Sequence, residues 1–351
     1  MSRFSKLGAA LLAGAAVVAF SGGAQAAGKI VISNWDGYMP ADMLERFTAE
    51  TGIEAELAVH ATNEEIMGKV VAGKGKGYDV LFVSSPFVEA LKNLGLVAEL
   101  DHAKMPNLKN LYPEAMNLAY DPGNTHSVPY AWGTTGLCYR SDLVSAAPDS
   151  WMDLLQPAAD LKGKVTMLST DRWLMGAAFL AQGKSVNSTA EADLAAAKDL
   201  LVAAKKDLLA YDDTTFYSKL VSGEASLVQA WDGWCNYGIA ENADIKYVIP
   251  KEGSDLWVDT MVVTAASENK EAAMKFIDFI LTADNGAWVP ANILYKVPNK
   301  AAMEALDPAL VQQFPNLAMT PAELLKQEQL RDLGAGQKAF SRTVTEILAS
   351  N

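Results

Sequence analysis

The sequence predicts an α/β protein folded as two lobes, and three observations carry that prediction. β-branched runs alternate with amphipathic helical stretches in both halves of the chain, the pattern of a parallel sheet covered by helices. The 351 residues exceed what one core usually organises, at about 100–200 residues per domain. No Gly/Ser-rich or Pro-rich linker separates the halves, as expected if the chain passes between lobes more than once.

The elements follow in order. Residues 29–33 are a β-branched run. Residues 42–51 are amphipathic, with Met43, Leu44 and Phe47 on one face and Gly52 as the stop. Residues 53–59 form the next strand, and 63–72 a helix broken by Gly73, Gly75 and Gly77. A buried strand over 79–83 and a short helix over 86–94 follow, then a strand around 128–130. The second half repeats the style, with strands at 164–168, 208–211, 225–230, 245–249 and 257–263. Its helices fall at 173–181, 191–205 and 269–281, and the C-terminal third is mostly helical.

Residues 1–26 read as a secretory signal peptide. Arg3 and Lys6 precede an apolar stretch from Leu7 to Phe20, and Ala24-Gln25-Ala26 is a small-x-small cleavage site. That stretch is too short to span a bilayer core of about 30 Å. The expectation is a protein free in a periplasm-like space. Cys138 and Cys235 are the only cysteines. Such a compartment permits a disulfide, but two buried thiols satisfy the sequence equally. With 29 Lys+Arg against 42 Asp+Glu the net charge is −13, which argues against nucleic acid as a partner and suits a cationic solute.

Motifs for catalysis are missing. There is no GxSxG, HExxH or CxxC, and no GxGxxG follows the first strand. His60, His102 and His126 lack metal-ligand spacing, so neither a metal nor a cofactor is expected. Gly183-Lys184-Ser185 follows a helix and has Ala178 where a phosphate loop needs its first glycine.

What the chain does have is aromatic residues beside carboxylates where strands end. These are Trp35-Asp36-Gly37-Tyr38, Trp132, Asp171-Arg172-Trp173, Trp231-Asp232-Gly233-Trp234 and Trp257-Val258-Asp259, with Tyr295 in a loop near Pro290. In open α/β sheets the carboxyl ends of strands face the ligand crevice. An indole or phenol face there attracts an ammonium by about 0.5–2 kcal/mol, and a carboxylate adds charge-assisted hydrogen bonds. The pattern points to a non-catalytic binding site for an organic cation. A single Trp or Asp of this set has a bland reading as core or turn residue, Asp171 and Asp36 as caps among them.

At these residues the sequence resembles the periplasmic spermidine/putrescine-binding proteins of bacterial ABC importers. The strongest stretches are Asn34-Trp35-Asp36-Gly37-Tyr38, Tyr78-Asp79-Val80, Val128-Pro129-Tyr130-Ala131-Trp132-Gly133 and Ile249-Pro250-Lys251-Glu252-Gly253. The resemblance implies a two-lobed periplasmic-binding-protein fold with two hinge crossings, type II-like. It implies lobes of 28–133 plus 258–303 and of 134–257 plus 304–351. It implies a monomeric component that hands a putrescine- or spermidine-class ligand to an inner-membrane permease. By the same resemblance Trp35, Tyr38, Trp231, Trp257 and Tyr295 wall the site. Asp36, Asp171 and Asp259 bind amines, and Ser84 and Ser85 form a polar loop; Asp232 and Trp234 are further candidates. Two departures favour putrescine over spermidine: Pro86 stands near a common aromatic position, and Arg172-Trp173-Leu174 lacks a glutamate often found after Asp171. An inward Arg172 would favour an ω-amino acid such as 4-aminobutyrate. A secreted enzyme is the alternative from another class.

Overall fold

The computed structural model describes residues 28–350, so the expected signal peptide lies outside the described residues. The first elements are β1 (Ile30–Asn34), α1 (Met43–Thr51), β2 (Ala55–Val59), α2 (Asn63–Ala72), β3 (Val80–Ser84) and α3 (Ser85–Asn93). Then come β4 (Ser127–Arg140), α4 (Trp151–Leu155), β5 (Val165–Met167), α5 (Asp171–Ala181), α6 (Glu191–Lys205) and β6 (Ala210–Tyr211). They continue with α7 (Phe216–Ser222), β7 (Leu227–Trp231), α8 (Asp232–Glu241), β8 (Ile245–Val248), β9 (Asp255–Val263), α9 (Lys270–Ile280) and α10 (Ala283–Asn292). The chain closes with α11 (Lys300–Glu304), α12 (Pro308–Gln313), α13 (Pro321–Leu324), β10 (Glu328–Gln329) and α14 (Gln337–Ala349).

Local chemistry sets the boundaries. Gly52 ends α1 at φ 72°, a left-handed conformation that favours glycine, and returns its N–H to Thr48 O. Thr62 caps α2 by accepting from Glu65 N at 3.1 Å, while the Glu65 carboxylate accepts from Ala61 N. α9 buries Ala273, Phe276, Ile277 and Ile280, the face its spacing predicts.

The strands order as β2-β1-β3-β9-β4-β7-β5-β6, with β10 pairing β9 and β8 pairing β4. β1, β2 and β3 are parallel, as are β5, β6 and β7, whereas β9 runs antiparallel to β3 and β4. The sequence suggests a strand of three residues near Val128, but β4 has 14 and buries its first 12. Its first half pairs with β9 and its second half with β7 and β8. Gly133 and Gly136 fall inside it because neighbours occupy the Cβ positions: the Trp257 ring and Asp232 carboxylate at Gly133, Tyr247 and Val248 O at Gly136. β4 and β9 therefore run through both halves of a two-lobed α/β molecule. The cysteines form a disulfide from β4 to α8, Cys138–Cys235, with Cα atoms 5.9 Å apart. Leu324 of α13 belongs to the core cluster that also holds Ile66, Val83 and Leu91, while α14 packs on α5 and α6.

Candidate functional site

A cavity of about 670 Å³ opens where β1, β3 and β7 end, beside β9 and the first turn of α5. Of the residues singled out in the sequence, Trp35, Asp36, Tyr38, Ser84, Asp171, Arg172, Trp231, Trp234, Trp257, Asp259 and Tyr295 line it.

Three of them are elsewhere. Ser85 is buried, and its hydroxyl donates to Leu330 O at 3.3 Å because the first turn of α3 points it away from the cavity. Asp232 is 1% exposed and forms an ion pair with Lys296, itself 2% exposed; Thr134 N donates to it as well. Trp132 is core, stacked 6.2 Å from Tyr112.

Asp259 is the centre of the floor. It lies in mid-β9, in register with Ser84 on β3 and Ala131 on β4. Ser84 Oγ donates to Oδ1 at 2.7 Å and Tyr38 Oη donates to Oδ2 at 2.8 Å. Asn63 fixes Ser84 by donating to its hydroxyl at 3.0 Å and accepting from its N–H at 2.9 Å. Burial raises the Asp259 carboxyl above its ordinary range, against the pull of those two hydroxyls. Burial, with the Asp259 charge beside it, also keeps the Tyr38 phenol protonated as a donor.

Aromatic rings surround this carboxylate. Trp35 meets Tyr38 edge-on at 5.4 Å, and Trp257 meets Tyr295 at 4.8 Å. Gly233 permits the last arrangement, since a Cβ there would fall inside the Tyr295 ring. Trp231 packs 5.2 Å from Trp173 and 6.3 Å from Trp234. Behind Trp35 the His60 ring lies at 4.9 Å, its Nδ1 2.8 Å from Ser33 Oγ. Burial lowers its pKa to about 4, so it is neutral at pH 7 and does not repel a cation.

Electrostatics separate this cavity from the rest of the molecule. Asp36, Glu64, Asp171, Asp259 and Asp332 line it, against Arg172 alone. Among the described residues none of these five carboxylates has a cation at ion-pair distance, although fourteen Lys or Arg ion pairs form elsewhere. Arg172 is committed to protein acceptors: Arg331 O at 2.7 Å, Val186 O at 3.3 Å and Asn187 Oδ1 at 2.5 Å. Among the described residues its Nε has no partner, and burial lowers its pKa to about 10. Asp171 is the first residue of α5 rather than its cap, which is Thr170; its Oδ2 accepts from Ser341 Oγ at 2.7 Å.

Other lining residues escape the sequence reading. Phe87 supplies an aromatic one position after Pro86, and Thr62 and Asn63 come from the start of α2. Leu330, Asp332, Gln337 and Ser341 arrive from the C-terminal segment. A strand-end rule finds residues just after strands; Thr62 and Phe87 each follow a strand by three positions without a neighbouring aromatic-acid pair, and the two-residue β10 before Leu330 and Asp332 has no β-branched run to mark it.

A family model for bacterial extracellular solute-binding proteins matches residues 42–314. The chain is 30% identical over 318 residues to the spermidine/putrescine-binding periplasmic protein of Escherichia coli (strain K12), covering 90% of each chain. It is 33% identical to a putrescine/cadaverine-binding protein of Pseudomonas aeruginosa, covering 97% of each. Its fold superposes with a TM-score of 0.78 on the spermidine/putrescine ABC transporter substrate-binding protein of Streptococcus pneumoniae, at 27% identity over 91% of this chain and 98% of that one.

Proposed function

The chain belongs to the bacterial extracellular solute-binding protein family, and we propose that it is the periplasmic substrate-binding component of an ABC importer for a putrescine- or spermidine-class polycation. It is not an enzyme in this reading: the ligand is held between two lobes and released unchanged to a permease. One observation carries the proposal. Five carboxylates without a cation border a cavity walled by indole and phenol rings, a lining that an organic ammonium satisfies at both its charge and its methylenes.

Asp259 takes one ammonium, with Ser84 and Tyr38 holding the carboxylate in place. Trp35, Tyr38, Trp257 and Tyr295 face the chain beside it, and Trp231 and Trp234 continue the wall. Asp36, more exposed, attracts the ligand at the mouth. The lobes divide near 133 and 257, on β4 and β9. The place of Leu324 in the core cluster that holds Ile66 supports a last return to the second lobe after 327 instead of near 304. Arg172 spends most of its donors on carbonyls, which speaks against a carboxylated ligand.

Calorimetry of the processed protein with putrescine, cadaverine, spermidine, choline and 4-aminobutyrate tests this. Micromolar or tighter binding, on the order of −8 kcal/mol, is expected for at least one di- or triamine and not for 4-aminobutyrate. A preference for 4-aminobutyrate, or recovery of a chemically altered amine, overturns it.

A further inference from the structure

Residues 328–333 lead from β10 towards α14, and Leu330 and Asp332 in this segment form part of the cavity wall. The segment is fastened from two sides. From α3, Ser85 Oγ donates to Leu330 O, and the Glu89 carboxylate accepts from Arg331 Nε at 2.9 Å and from Asp332 N at 2.8 Å. From α5 and the loop after it, Arg172 donates to Arg331 O. Asn187 accepts from Arg331 N and donates to Gln329 O, each at 2.9 Å. Val186 N donates to Glu328 at 2.9 Å.

This fastening fixes the backbone beneath Asp332 and occupies both nearby guanidinium groups. Arg331 lies on Glu89, and Arg172 lies on carbonyl oxygens. Among the described residues no cation is within ion-pair reach of the Asp332 carboxylate, whose Oδ1 accepts only from Gly334 N at 3.0 Å. A preorganised, uncompensated carboxylate in a cavity wall is the arrangement that binds a cation with least reorganisation. Asp171, the other acid of this end, stands on the first turn of α5 and accepts the Ser341 hydroxyl.

We propose that Asp332 is a specificity-determining residue that receives the ligand ammonium farthest from Asp259, and that Glu89 is a positioning residue that holds it there. The inference rests on the polycation reading above. It means that the acid selecting for a longer amine comes from the C-terminal segment and not from α5.

Calorimetry of the full processed chain tests it, using putrescine and spermidine with the parent, Asp332→Asn and Glu89→Gln. Asp332→Asn is expected to weaken spermidine by about tenfold or more and putrescine by less than about threefold, as removing one charge partner of a bound ammonium should. Glu89→Gln should move the spermidine-to-putrescine ratio in the same direction by a smaller factor. Putrescine reports that the rest of the site is intact, so a damaged fold does not mimic this split. Equal losses for both amines, or an unmoved ratio, overturn the role of Asp332 while leaving the polycation reading in place. A parent that binds putrescine and not spermidine overturns it too. A parent that binds neither amine sinks the polycation reading itself.

Discussion

Asp232 and Asp259 both border β4, and the protein treats them in opposite ways. The Asp232 carboxylate lies against Gly133 and is neutralised by Lys296, the pair being almost wholly out of water. Asp259 pairs in register with Ala131, two residues earlier, and has two hydroxyl donors and no cation. Desolvating a carboxylate is costly unless opposite charge is supplied. At Asp232 the fold supplies that charge itself, which fixes α8 against the 294–296 loop and seats Tyr295 over Gly233. At Asp259 the charge is left for the ligand to bring. The difference teaches how to tell a structural acid from a binding one: the decisive feature is the missing built-in partner, since both lie beside tryptophans, Asp232 buried and Asp259 half-buried.

The contrast is broken most directly by removing the built-in pair. Asp232→Asn leaves Lys296 buried and unpaired, and should cost about 3–5 kcal/mol of stability, read as a lowered denaturation midpoint. Putrescine affinity, measured where both proteins are folded, should change far less. If the midpoint is unmoved, the Lys296 pair is not holding α8 to the 294–296 loop.

Asp255 sharpens the comparison from between the two cases. It accepts an indole N–H from Trp173 at 3.1 Å, and burial raises its pKa to about 6 against the pull of Thr135, Trp173 and Arg172. A carboxyl raised from 3.8 to about 6 favours the fold fully below pH 4, and that contribution is lost as pH rises through 6. Asp255→Asn should therefore stabilise the protein at pH 7–8, by roughly 1–3 kcal/mol, and match the parent near pH 4. Melting curves across that range check it; a variant less stable than the parent at pH 8 would show that the charge is compensated.

Much of this was legible in the sequence, for physical reasons. The helix over 63–72 falls at its expected limits because apolar periodicity, the Thr62 cap and Gly73 agree there, and the one over 191–205 because its Ala/Leu-rich helical pattern runs its whole length. The aromatic-acid pairs mark strand ends, and strand ends of an α/β sheet converge, so Trp35, Asp36 and Trp231 meet at one cavity, which Asp259 reaches from mid-β9. Asp232 was indistinguishable from Asp36 because each follows a Trp after a strand; only the return of Lys296 from 64 residues on separates them. The length of β4 was hidden by two glycines that read as loop and act as clearance for Trp257 and Tyr247. The Cys138–Cys235 bond and the arrival of Asp332 depend on segments 97 and more residues away, which local patterns do not encode.

The claim that Asp259 awaits a ligand cation is tested most directly by Asp259→Asn, with putrescine calorimetry and a ligand-free melting curve on the same preparation. Putrescine should bind roughly 100-fold more weakly, about 2.7 kcal/mol, while the ligand-free protein melts no lower than the parent because a desolvated charge has been removed. Binding as tight as the parent's, or a ligand-free protein several kcal/mol less stable, would contradict it.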